Sequence, residues 1–139
     1  YQEAMRALEN IVHALGSILD QLHQDDFELL IELIFSSSGW KRISRTGGNQ
    51  KTIDMAMVLP TTGETCFVQV KSQTNQSTVN TLITDFADAR AYRRMFFAYH
   101  TPAEAFTNET PNVTVWNRER IARQALGAGL AQWILDRTT

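Results

Sequence analysis

Apolar side chains recur at Met5, Leu8, Val12, Leu15, Leu19 and Leu22, spacings of 3 and 4 that draw one seam down a helix, widened by Ile11 and Ile18. The seam predicts a helix lying on the domain's own core; dimerisation through the same face is the alternative. Gln24-Asp25-Asp26 then reads as a helix start, and Phe27, Leu30, Ile31 and Ile34 share one face until Ser36-Ser37-Ser38-Gly39, where the glycine suits a left-handed C-cap. Trp40 to Arg45 is a short strand candidate, and Thr46-Gly47-Gly48-Asn49-Gln50 is a loop by composition. Polar and apolar positions next alternate over Thr52 to Leu59 and Glu64 to Lys71 on either side of Pro60-Thr61-Thr62-Gly63, the pattern of a hairpin. Ser77 or Thr78 is the cap expected for a helix burying Val79, Leu82, Ile83 and Phe86. Strands follow over Met95 to His100 and Val113 to Trp116, and Ile121, Ala125, Leu126, Leu130, Trp133 and Ile134 make a last helix or helix pair, broken near Gly127 and Gly129. The predicted order is α, α, β, β, β, α, β, β, α.

Composition adds scale. A chain of 139 residues, 43% hydrophobic and 20% charged, suits one globular unit around one core. No apolar run reaches the ~18 residues a membrane span needs, since Phe27 to Phe35 is interrupted by Glu28 and Glu32. The lone Cys66 and the lack of a basic-apolar leader point to an intracellular, cytoplasmic setting, and the start at Tyr1 suggests a piece of a longer protein. Charge is unevenly spread. Residues 1–32 hold seven acids against Arg6, a net −6 within an overall −2, so the remainder is basic. Ten of the thirteen cationic residues are arginine, clustered at Lys41-Arg42-Arg45, Arg90-Arg93-Arg94 and Arg118-Arg120-Arg123; the clusters suit phosphate, or are simply solvated helix faces.

Candidate chemistry lies on the hairpin. Alternation puts Gln69 and Lys71 on one face of their strand and Val68 and Val70 on the other. A turn centred between Thr62 and Gly63 would set Asp54 opposite Lys71, with Gln69 on the diagonal. An acid and an amide oxygen suit a hard cation such as Mg²⁺ with several retained waters. A nearby ammonium can then orient an attacking water or neutralise charge on a phosphoryl group. The plain alternative is a surface ion pair between Asp54 and Lys71.

The ordered set Phe27-Glu28-Leu29-Leu30, Ser38-Gly39-Trp40, Ile53-Asp54 and Gln69-Val70-Lys71 resembles the restriction-endonuclease-like nucleases of the PD-(D/E)XK superfamily, in its Mrr-type branch, where glutamine replaces the second acid. The resemblance covers residues 25–117 and implies an α/β fold with an α-β-β-β-α-β core, a mixed central sheet flanked by helices, here with an extra N-terminal helix. It implies Asp54 as main metal ligand, Gln69 as a neighbouring ligand or water-holder, Lys71 as the catalytic lysine and Glu28 as a metal or water contact, with Glu32 the alternative helix acid. Mg²⁺ is the implied cofactor, Mn²⁺ its substitute. One departure stands out: Gly47-Gly48-Asn49-Gln50-Lys51-Thr52 replaces the glycine and extra acids common before the aspartate, so the approach loop differs.

The implied activity is metal-dependent endonucleolytic hydrolysis of double-stranded DNA by a restriction or toxin effector domain. A non-catalytic nucleic-acid-binding or protein-docking module of the same fold is the alternative. Residues 1–24 are expected to form the amphipathic helix packed on the core, and 25–139 the nuclease unit. Arg42, Arg45, Lys51, Ser72, Gln73 and Arg90 are the candidate nucleic-acid contacts. A homodimer, an inhibitory partner and further domains of a parent chain are the remaining expected associations; no membrane is expected. His13, His23 and His100 show no zinc-site spacing, and Cys66 reads as a small buried hydrophobe.

Overall fold

The computed structural model describes residues 1–46, 52–89 and 92–139, with the side chains of residues 44–46, 52–54 and Ala89 outside that description. The chain runs α1 (Gln2–Ile18), a 3₁₀ turn (Leu19–Gln21), α2 (Gln24–Ser37), β1 (Lys41–Thr46), β2 (Thr52–Leu59), β3 (Glu64–Gln73), α3 (Gln76–Ala89), β4 (Arg94–Thr101), β5 (Val113–Trp116), α4 (Arg118–Gly127) and α5 (Ala131–Arg137). One sheet in the order β1-β2-β3-β4-β5 joins them. The first three strands form an antiparallel meander, and β3-β4 and β4-β5 are parallel, so the sheet is mixed and α3 is the crossover.

Two hydrophobic clusters face opposite sides of this sheet. Met55, Met57, Cys66, Val68, Val70, Ala98 and Trp116 pack with α1, α2, α4 and α5. Met95, Phe97, Tyr99 and Val113 pack with Val79 of α3, flanked by Phe67, Leu82, Ile83 and Phe86. Even positions of β3 therefore meet the four-helix layer and odd ones the α3 layer, which assigns Gln69 and Lys71 to the α3 side.

The helix seam of α1 is covered along only part of its length. Val12, Leu15 and Leu19 are buried, whereas Met5, Leu8 and Ile11 are 41%, 38% and 46% exposed. Gly16 of α1 is buried beside the start of α4, where a Cβ would meet the Arg118 carbonyl oxygen at 3.4 Å, an ordinary van der Waals distance. At the end of α2, Gly39 takes φ 95°, Gly39 N donates to Ser36 O and Trp40 N to Phe35 O, a Schellman closure at the expected glycine.

Two local expectations are corrected. The hairpin loop is centred between Thr61 and Thr62: Leu59 O accepts from both Thr62 N and Gly63 N, and Gly63 takes φ 77°. Asp54 consequently pairs with Gln69, and Thr52 pairs with Lys71. The displacement from the expected register is two residues, an even number, so each residue keeps its face of the sheet. The cap of α3 is Asn75, whose Oδ1 accepts from Thr78 N at 2.8 Å, because a side-chain acceptor caps best when it precedes the first helical residue. Three arginines of the basic clusters form ion pairs within the protein: Arg42 with Glu32, Arg94 with Glu64, and Arg123 with Glu9 and Glu119.

α4 begins at Asn117, whose Oδ1 accepts from Arg120 N at 3.0 Å. Asn117→Ala is expected to cost about 1 kcal/mol of unfolding free energy, read from a urea midpoint shift at unchanged slope.

Candidate active site

β3 carries the centre of the site because it is hydrogen-bonded on both sides, to β2 and to β4. Gln69 is 9% exposed, lies opposite Asp54 on β2 and beside Phe97 on β4, and its side-chain amide makes no hydrogen bond with any described residue. Directly opposed residues of an antiparallel pair hold their Cβ atoms ~5 Å apart, and diagonal ones ~7–8 Å. Gln69 is thus the direct cross-strand neighbour of Asp54, and Lys71 the diagonal one.

Lys71 is half-buried and, with Ser72 and Gln73, lines a cleft of about 310 Å³ whose further wall is Gln24 at the start of α2. Gln24 Nε2 donates to Glu28 Oε1 at 3.3 Å, a pair one helical turn apart. Gln24 escaped the sequence reading, although its i, i+4 relation to Glu28 was visible there. Glu28 is 7% exposed on α2, which packs on the side of the sheet opposite α3. The cleft sets Gln24, the hydrogen-bond partner of Glu28, on the same wall system as Lys71.

Among the described residues only Glu28, Gln69 and His100 are buried polar or charged side chains, and two of these three are candidate site residues. Glu32, the other helix acid considered, is held by Arg42 of β1. Arg45 pairs through its backbone with Met55, and its side chain, like that of Asp54, lies outside the described set. Lys51 and Arg90 lie outside the described residues altogether.

His100 ends β4 with its ring edge-on to Phe27 at 4.7 Å and Nδ1 2.7 Å from Thr101 Oγ1. Burial lowers its pKa, the Asp20 charge opposes that and Arg118 reinforces it, which suits a structural imidazole. Cys66 is buried on the four-helix side of β3, and burial pushes its thiol up to about 12, with Arg94 opposing and Glu64 adding. Cys66 should resist a disulfide reagent at pH 8 in the native protein and react once per chain in denaturant, as absorbance of the released thiolate would report.

On the α3 side of the sheet a second cavity, about 270 Å³, has apolar walls from Phe67, Leu82, Phe86, Tyr92 and Met95; Gln69 and Asp85 are its polar lining. Gln69 therefore borders this cavity as well as standing opposite Asp54.

Among the described residues no three His, Cys, Asp or Glu side chains gather as a ready metal cluster. The donor set around β3 is of another kind, an aspartate in register with an amide that has no hydrogen-bond partner among the described residues, and oxygen donors of this sort fit a hard divalent cation better than a soft one. No helix among the described residues is long and apolar enough to cross a membrane.

A family model described as restriction endonuclease, the Mrr catalytic domain, matches residues 19–125, from the 3₁₀ turn into α4. A search of curated proteins finds no match.

Proposed function

Because this chain belongs to the Mrr-type restriction endonuclease family, whose members are nuclease domains, we propose that it is a metal-dependent endonuclease hydrolysing phosphodiester bonds of double-stranded DNA. The observation that carries the reading is the pairing of Asp54 with Gln69 beside the Lys71 cleft, which gathers acid, amide and ammonium on one sheet. Asp54, Gln69 and Glu28 are the residues that would hold Mg²⁺, or Mn²⁺ in its place, and such an ion supplies an activated water and charge for the phosphoryl oxygens.

The chain's own groups have separate tasks. Lys71 orients the water on its line of attack and meets the charge that develops on the phosphoryl oxygens, a strong effect in a cleft that partly excludes solvent. Gln24 holds the Glu28 carboxylate in one rotamer by donating to it. Ser72 and Gln73, on the same cleft, position the phosphate beside the one being cut. The amide at Gln69 brings one charge fewer than an acid would, so metal binding is expected to be weak. The biological reading that follows is a restriction or toxin effector.

One observation favours a non-catalytic binding module instead: Gln69 stands where a second acid would, which leaves the metal-holding set one charge short. Supercoiled plasmid incubated with the protein in Mg²⁺, Mn²⁺ or EDTA separates the two. The nuclease reading expects nicking in either metal, none in EDTA, and none from a folded Asp54→Ala variant. Salt-sensitive binding with intact plasmid in every metal would instead establish the binding module.

A further inference from the structure

We propose that the apolar cavity on the α3 side of the sheet takes one unstacked base of the nucleic-acid strand, and that Asp85 receives that base's exocyclic amino group. The inference rests on the nuclease reading for the identity of the strand and adds a base-binding subsite to it.

The walls suit a flat aromatic ring. Phe67 and Tyr92 stack at 5.5 Å between centroids with their planes 29° apart, and Phe86 of α3 supplies a third ring. Bases of any identity stack on such side chains. At about 270 Å³ the cavity lies at or below the small end of ligand pockets, ~300–1,000 Å³, enough for one heterocycle and little more.

The two polar groups decide what kind of ring enters. Gln69 and Asp85 each lack a hydrogen-bond or ion-pair partner among the described residues, so both have capacity to spare. A carboxylate repels phosphate and accepts N–H donors, which turns the nucleic-acid backbone away and admits a base edge carrying an amino group. The Gln69 amide oxygen is the group that would hold the metal, which leaves its Nε2–H to donate to an acceptor on the base edge.

Location supplies the link to the substrate. Gln69 lines the cavity, and Lys71, two residues on, lines the catalytic cleft, a separation of about 7 Å along one strand. A base held beside Gln69 thus belongs to a nucleotide at or next to the phosphate met by Lys71. Extruding a base from a duplex costs a few kcal/mol, so the subsite favours mismatched, nicked or flexible positions.

Methyl-labelled protein in EDTA, titrated with a short single-stranded DNA carrying one guanine among abasic sugars, tests the proposal. Ring-current shifts are expected at the Met95 and Leu82 methyls and none at Met57, which lies on the opposite face. An all-abasic strand should leave Met95 and Leu82 unmoved. Tyr92→Ala should weaken the guanine strand roughly ten- to a hundredfold, the scale of one lost stack, and Asp85→Asn should erase its advantage over a thymine strand. Equal shifts from the abasic strand, or silence at Met95 and Leu82, would overturn the subsite. Plasmid nicking by the same protein in Mg²⁺ reads the nuclease assignment separately: nicking with silent methyls removes the subsite alone, and responding methyls with intact plasmid remove the nuclease alone.

Discussion

Lys71→Ala is expected to lower the single-turnover rate of DNA nicking by at least about a hundredfold at saturating metal, with thermal unfolding close to that of the parent. The size follows from the loss of one preorganised positive group facing charge that grows in the transition state, a deletion that typically costs 10²–10³ in rate. Stability should hold because Lys71 is half-buried, lines an open cleft and forms no ion pair among the described residues. Lys71→Arg should not restore the rate: its planar, wider head cannot occupy the position of a compact ammonium. A Lys71→Ala protein cutting at the parent rate would remove this residue from the mechanism.

Phe27→Ala carries the largest expected effect on stability, about 3–5 kcal/mol by chemical denaturation. The ring is fully buried and sits edge-on to His100 at 4.7 Å, so its removal leaves a cavity between α2 and β4 that rigid neighbours fill poorly. Against a total stability of ~5–15 kcal/mol this is a substantial fraction. Leu29→Ala, two positions along on the same helix and 39% exposed, should cost well under half as much. Because Phe27 adjoins Glu28, the Phe27→Ala protein should also lose nicking activity in excess of its unfolded fraction, and equal costs for the two variants would contradict the packing described.

Much of the fold was legible because periodicity reports burial directly. The Val113 to Trp116 strand and the Thr52 to Leu59 strand appear at their expected bounds, and the last helix pair breaks at Gly127 and Gly129 as expected. Register was less legible, since the sequence Pro60-Thr61-Thr62-Gly63 accommodates more than one turn centre and only the positive φ of Gly63 selects among them. Faces survived that error, and with them the grouping of Gln69 and Lys71. The ion pairs of the arginine clusters were illegible for a different reason. Their partners are distant in sequence, Glu9 lying 114 residues from Arg123 and Glu64 lying 30 from Arg94, and no local pattern announces such pairs. Gln24 was missed because a capping-region glutamine looks like helix punctuation until its amide is seen on Glu28. The α3-side cavity was invisible in the same sense: Phe67, Phe86 and Tyr92 stand apart along the chain, and nothing local announces that they meet.

The way the sheet ends bears on how the protein behaves in a crowded solution. Both outer strands would offer unpaired backbone groups to any neighbouring chain, the usual route to edge-to-edge aggregation. β5 limits that offer by being four residues long. β1 limits it with a bulge between Arg42 and Ser44 that leaves Ile43 outside the register, and with the charges of Lys41 and Arg42 close by. A growing fibril needs a long, flat, uncharged template, and neither margin of this sheet supplies one.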